Sequence, residues 1–336
     1  MAGVNTTSTA YPLPIPPPYA IFFGPGANCT LEICAADYSV YGYQPSLGAN
    51  VAFMALYALT ATVHLYLGVR WRTWFFTTAM VAGSLSAIVG YAGRVMLHYN
   101  PWSFAGFLIQ IICVGSAPVY FTASIYVTLS FAIKYLSPSL SRFNPDLFFW
   151  IFIPTDMLCL VLQASGGALS TVSSGDSRVG VDLTLAGLSL QVIFMGVFAA
   201  FFADYLARYF RSDIYRHPQQ SQSQSQSQSQ DVLADRGGRF GFRSKLFLNF
   251  MALAFLIILA RCAYRVVELR EGYSGRIFKD EGLFIGLEGV LILLSVICLM
   301  IGHPGFALKE RRGDRPATSQ GDVVGGSATQ SVEEKV

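Results

Sequence analysis

The chain is predicted to be an all-α integral membrane protein, a seven-transmembrane helix bundle with its N-terminus outside and its C-terminus cytosolic. Three observations predict this. Of the 336 residues, 53% are hydrophobic and only 13% are charged, where a soluble domain carries roughly 25% charged residues. Seven apolar stretches, at about 49–69, 74–97, 105–135, 147–169, 183–206, 246–268 and 281–302, each come near or exceed the ~20 residues that a helix needs to cross a bilayer. The basic residues, finally, alternate in density between the connections. With the N-terminus outside, Arg70, Arg72, Lys134, Arg142, the set from Arg208 to Lys245 and the tail from Lys309 onward all fall in the cytosol. Only Arg178, Arg270, Arg276 and Lys279 then remain outside, which is the bias that sets membrane orientation.

Residues 1–48 form an extracellular or lumenal tail without Lys or Arg and with Pro12, Pro14, Pro16, Pro17 and Pro18. It shows no secretory signal pattern, since the basic region and compact apolar core are both missing. Asn5 and Asn28 begin Asn-x-Thr sequons and are glycosylation candidates. Cys29 and Cys34 are a disulfide candidate on the side where such bonds persist. The other cysteines, Cys113, Cys159, Cys262 and Cys298, lie in apolar spans, where a thiol behaves as a small hydrophobe.

The transmembrane domain runs over 49–306. The first span carries His64, the second Arg94 near its outer end, and the third is unusually long with Pro118 in its middle, where a kink is expected. The fourth places Asp156 near mid-membrane with Gln163 seven positions on, followed by Gly166 and Gly167, which allow close backbone approach. Gln191 lies in the fifth span. The connection 207–245 contains SQSQSQSQSQ at 221–230, a polar repeat with nothing to bury, and is expected to be a disordered cytosolic loop. The tail 307–336 is expected to be disordered in the same way.

The sixth and seventh spans hold the densest charge. Residues 246–260 contain one polar residue, and Arg261, Arg265 and Glu268 follow at i, i+4 and i+7, one face of a helix. A charge facing lipid costs at least ~2.5 to 3.5 kcal/mol on insertion scales, so this face looks inward. Arg265 and Glu268, at i and i+3, can pair. Glu281 and Glu288, seven apart on the seventh span, share a face, with Glu288 at a depth like that of Arg261, ~10 Å below the outer end at 1.5 Å per residue. With Arg94 the spans offer three arginines and three glutamates to one outward-facing polar chamber. Buried charges in membranes pair with one another, so one role is structural pinning; the other is reception of a charged head group. Asp156 is the candidate proton-linked or substrate-contacting acid, because a carboxyl at that depth must be neutralised by a proton or a partner. His64 and Gln191 are weaker candidates, since a lone His or Gln in a bundle more often bonds helix to helix.

Several classes are disfavoured by what is missing. There is no phosphate-binding Gly-x-x-x-x-Gly-Lys-Ser/Thr loop, no Gly-x-Ser-x-Gly elbow, and no His-x-x-x-His or Cys-x-x-Cys spacing in or beside a span. No ATP motor, metal, cofactor or enzyme chemistry is therefore expected. No basic surface interleaved with aromatics points to nucleic acid; the expected partners are the bilayer and a lipid or amphiphilic small molecule.

In order along the chain, Tyr43-Gln-Pro45, Asn50, His64, Gly90-Tyr91-x-x-Arg94, Ala117-Pro118, Ile125-Tyr126, Asp156, Gln163, Gly166-Gly167, Gly187-Leu188-x-x-Gln191, Arg261-x-x-x-Arg265-Val-x-Glu268, Gly272, Gly275, Glu281 and His303-Pro304-Gly305 resemble the fungal RTA-like proteins, the lipid-translocating exporter family, over roughly 41–306. Ala87 and Phe131 depart from that pattern, standing where an acid and an arginine are usual, and Glu288 stands where Asp is common. The resemblance adds Tyr91 and Tyr126 to the site candidates. It implies a transporter or flippase that exports sphingoid long-chain bases, phospholipids or toxic amphiphiles and gives resistance to them; one branch of the family is associated with porphyrin uptake. A multi-pass location in the plasma membrane, or in an internal one, follows. The alternative is a seven-helix receptor or stress sensor that binds an amphiphile and signals through the 207–245 loop.

Overall fold

The computed structural model describes residues 19–22, 24–136, 146–172, 178–211, 230–270, 275 and 277–308. Seven helices among them are long and apolar enough to cross a membrane, and the chain is a multi-pass membrane protein. Helices are what such a sequence must form, because hydrocarbon offers no partner to a backbone N–H or C=O. They are α1 (Leu47–Trp71), α2 (Trp74–Tyr99), α3 (Phe104–Leu136), α4 (Asp146–Val172), α5 (Arg178–Arg211), α6 (Gln230–Arg270) and α7, followed by a short α8 (Pro304–Leu308). The seventh is composite: an α-helical turn Glu281–Leu283, a π-helical stretch Phe284–Val290, and an α-helix Leu291–Ile301.

Local chemistry sets the ends. Ser46 precedes α1, and its hydroxyl accepts from the Ala49 N–H. Arg72 closes α1 in the left-handed region at φ 56°, so that α2 turns back within two residues. Asp280 caps α7, its Oδ1 accepting from the N–H groups of Gly282 and Leu283 at 2.9 and 3.2 Å.

Each helix packs on the next in sequence, the ring closes where α1 meets α7, and α3 also reaches across to α6. The central cluster runs from Phe53 and Tyr91 through Tyr126, Phe198 and Phe255 to Leu299. Apolar side chains also face outward, among them Leu59, Trp150, Val161 and Ile193, each more than 60% exposed, as a lipid-facing surface requires. Helices α4 and α5 touch backbone to backbone. A Cβ on Gly166 would lie 2.6 Å from the Gly180 carbonyl oxygen, so only glycine permits the crossing.

Two expectations are revised. Residues 230–245, expected in a disordered loop, belong to α6, and α5 continues to Arg211. Once a span has nucleated a helix, each added residue gains a hydrogen bond. Glu281 and Glu288, expected on one face, turn to different partners, because the π-helical stretch between them widens the turn. The polar repeat through Ser229 and the tail from residue 309 lie outside the described residues, as do Asn5 and Gly272.

Candidate functional site

The end of the bundle nearest the N-terminal segment holds the charge. From α6, Arg261 donates through Nε and Nη2 to Glu288 Oε2 at 2.9 and 2.5 Å. One turn on, Arg265 Nη1 donates to Glu268 at 2.6 Å, and its Nε lies 3.1 Å from Glu288 Oε1. Glu288 thus stands between two guanidinium groups, placed there by the π-helical turn of α7. Arg261, Glu268 and Glu288 are all buried. Ion pairs so deep offset desolvation only with good geometry and several hydrogen bonds, and this cluster supplies both.

Arg94 of α2 is held differently. It is fully buried, its Nη2 donates to the Tyr43 hydroxyl at 3.0 Å, and it lies 3.8 Å from Glu281. Its guanidinium carbon sits 3.7 Å from the centre of the Phe284 ring, with Tyr41 and Tyr43 at 5.4 and 5.9 Å. Among the described residues its Nε and Nη1 have no hydrogen-bond partner. Aromatic faces therefore compensate its charge while two of its donor nitrogens stay unused. Tyr91 lies nearby, stacked on Phe53 and Tyr57 at 5.0 and 5.8 Å.

The segment before α1 covers this cluster. The Tyr41 hydroxyl donates to Gln110 Oε1 at 2.6 Å, and its ring stacks on Phe278 at 5.0 Å. Gln44 donates to the His98 carbonyl, the Pro45 carbonyl lies 2.7 Å from His98 Nδ1, and the Ser46 N–H donates to Glu281 at 2.6 Å. Burial pushes the Tyr41 and Tyr43 phenols above their ordinary pKa, with the Arg94 charge opposing. Further out, Cys29 and Cys34 form a disulfide that packs on Trp102. Asn28 is exposed, with its side chain bonded to Ile21 N and the Tyr19 carbonyl.

Asp156 of α4 lies elsewhere, among α3, α5 and α6, and is 1% exposed. Thr122 donates to its Oδ2 at 3.2 Å, and Tyr126 lies beside it. The Tyr126 hydroxyl is near enough to feel the carboxyl but forms no aligned bond with it; among the described residues that hydroxyl and Asp156 Oδ1 make no other hydrogen bond. Gln163 does not join Asp156. It donates to Gln191 at 2.8 Å, tying α4 to α5. At the opposite end His64 and His303 are both fully buried, with ring centres 6.4 Å apart. His303 Nδ1 accepts from the Gly305 N–H.

The twelve polar candidates therefore resolve into a charged cluster (Arg94, Tyr91, Arg261, Arg265, Glu268, Glu281, Glu288), an isolated acid with Tyr126, an amide pair, and a histidine at the far end. Tyr41, Gln110, Phe284 and Thr122 were not singled out from sequence. Only Tyr41 carried a signal, its spacing from Tyr43.

The family described as RTA1-like protein matches residues 80–311. The sphingoid long-chain base transporter RSB1 of Saccharomyces cerevisiae strain Lalvin EC1118 is 30% identical over 306 residues, covering 86% of this chain and 79% of its own length. Protein RTM1 of Saccharomyces cerevisiae is 24% identical over 314 residues, 80% of this chain and 92% of its own. Protoporphyrin uptake protein 1 of strain ATCC 204508 / S288c is 26% identical over 230 residues, 68% of this chain and 67% of its own. No solved structure matches.

Proposed function

The chain belongs to the RTA1-like protein family, and from that premise we propose that it exports a lipid-like amphiphile, a sphingoid long-chain base or a phospholipid, across the plasma membrane. Relatives named as transporters support the class. The observation that carries the reading is the buried Arg94, whose Nε and Nη1 are unused inside an otherwise paired cluster of acids and guanidinium groups. A head group entering there meets both signs of charge: Glu268, Glu281 and Glu288 accept from an ammonium, and Arg94 donates to a phosphate oxygen. The acyl or alkyl chain stays among apolar side chains. With the orientation expected from the basic-residue bias, this end faces outside, the cluster serves as the releasing side and the segment through Tyr41 and Tyr43 serves as its cover.

Proteoliposomes holding the full chain test this with fluorescent long-chain base and phospholipid, beside Arg94→Gln and Glu268→Gln. Protein-dependent movement is expected, reduced about tenfold in the variants, equivalent to roughly 1.4 kcal/mol of lost head-group binding. Folded protein that moves no lipid overturns the proposal and favours the receptor reading.

A further inference from the structure

The charged cluster has three cations and three acids, and its acids all face guanidinium groups. Asp156 has none. Among the described residues no basic side chain pairs with it; its neighbours are Thr122 and Tyr126 on α3 and the thiols of Cys159 on α4 and Cys262 on α6. A buried carboxyl at that depth is neutralised by its own proton or by a bound cation. Next to it stands an aromatic group: Tyr126 lies 4.5 Å from Phe198, 5.5 Å from Phe152 and 6.4 Å from Phe255, measured between ring centres.

We propose that Asp156, Thr122 and Tyr126, walled by Phe152, Phe198 and Phe255, form a site for one primary ammonium group, at which the carboxyl exchanges its proton for the amine. This rests on the transport reading and deepens it by giving the amine a second centre besides the charged cluster. The two centres adjoin one helix: Arg261 of α6 pairs with Glu288 of α7, and Cys262 beside it lies within electrostatic reach of Asp156. An ammonium has three donors. Asp156 Oδ1 and the Tyr126 oxygen are buried, lie near each other and form no aligned hydrogen bond among the described residues, so they offer two acceptors, while the rings around Tyr126 supply the aromatic surroundings that complement such a charge. Charge balances: a neutral carboxyl and an ammonium become a carboxylate–ammonium pair and a proton released to water.

The surrounding rings must part to admit the group. Both helices have a break at the right place. Pro118 lies four residues before Thr122, and Pro154 lies two before Asp156. Each removes one intrahelical hydrogen bond and lets the following segment tilt.

The test titrates octylamine into the purified full chain in nanodiscs, weakly buffered near neutrality with a pH indicator, subtracting empty nanodiscs. Wild type is expected to release roughly one proton per bound amine. Asp156→Asn is expected to release none and to bind about tenfold more weakly, whereas Tyr126→Phe keeps the release with several-fold weaker binding. Amine bound by wild type without proton release, or with unchanged affinity by folded Asp156→Asn, overturns the site. If Asp156→Asn does not fold, Tyr126→Phe with Thr122→Val decides it: unchanged affinity overturns the proposal. The two readings fail separately. Proton release without lipid flux overturns transport and leaves this site; flux unaltered by Asp156→Asn does the reverse.

Discussion

Glu288 accepts from Arg261 and faces Arg265 where almost no water reaches, so removing its charge strands Arg261 and leaves Arg265 with Glu268 alone. Glu288→Gln is expected to destabilise the bundle by about 3–5 kcal/mol, while Arg261→Met with Glu288→Leu costs less because the one cation left behind, Arg265, keeps Glu268. Denaturant unfolding in detergent measures both. A single variant as stable as the double one rejects the argument. Tyr41 makes a smaller test of the same logic. Tyr41→Phe leaves the buried Gln110 carbonyl without its donor, a loss of about 1–3 kcal/mol. It is expected to speed proteolysis of the segment before α1, and unchanged digestion contradicts that anchoring.

Elements depend on backbone approach. Gly166 abuts the Gly180 carbonyl across the α4–α5 crossing, whereas Gly115 of α3 has nothing within 4 Å of an added Cβ. Gly166→Leu is therefore expected to abolish folding or sharply lower the melting point. Gly115→Ala should raise stability by about 0.5–1 kcal/mol through its helix preference. Equal effects at the two positions refute the crossing. The disulfide acts on a smaller unit. Because Cys29 and Cys34 pack on Trp102 rather than within the main cluster, Cys29→Ser with Cys34→Ser is expected to make the segment before α1 protease-sensitive while leaving unfolding of the bundle unchanged.

At the scale of the molecule, orientation decides what the charged cluster can do. Loops rich in Arg and Lys stay cytosolic, so an epitope at the N-terminus is expected to be labelled on intact cells and one at the C-terminus only after permeabilisation. The opposite labelling makes the cluster an entry site instead of an exit. Export through the cluster, as proposed, needs the cover through Tyr41, Tyr43 and Ser46 to move, because it bonds to α2, α3 and α7 at once. A cross-link joining Tyr41→Cys to Gln110→Cys is expected to stop flux without affecting folding, and undiminished flux shows that the cover is fixed.

Number of spans, membrane class and the presence of costly polar residues were legible in the residues alone. Length, apolarity and charge bias are properties of segments, and hydrocarbon allows those segments one backbone solution. The pairing of Arg265 with Glu268 was legible for the same local reason, three positions on one helix. Partner choice between helices was not. Spacing placed Glu281 with Glu288 and Asp156 with Gln163, yet a π-helical turn separated the first pair, and the rotation of α4 against α5 gave Gln163 to Gln191. The rings around Tyr126 come from three other helices, and Tyr41 reaches Gln110 across 69 positions of sequence. The sequence by itself determined which residues must be hidden from lipid; only the tertiary structure decided which of them meet, because helix rotation and register are set by packing among all seven helices at once.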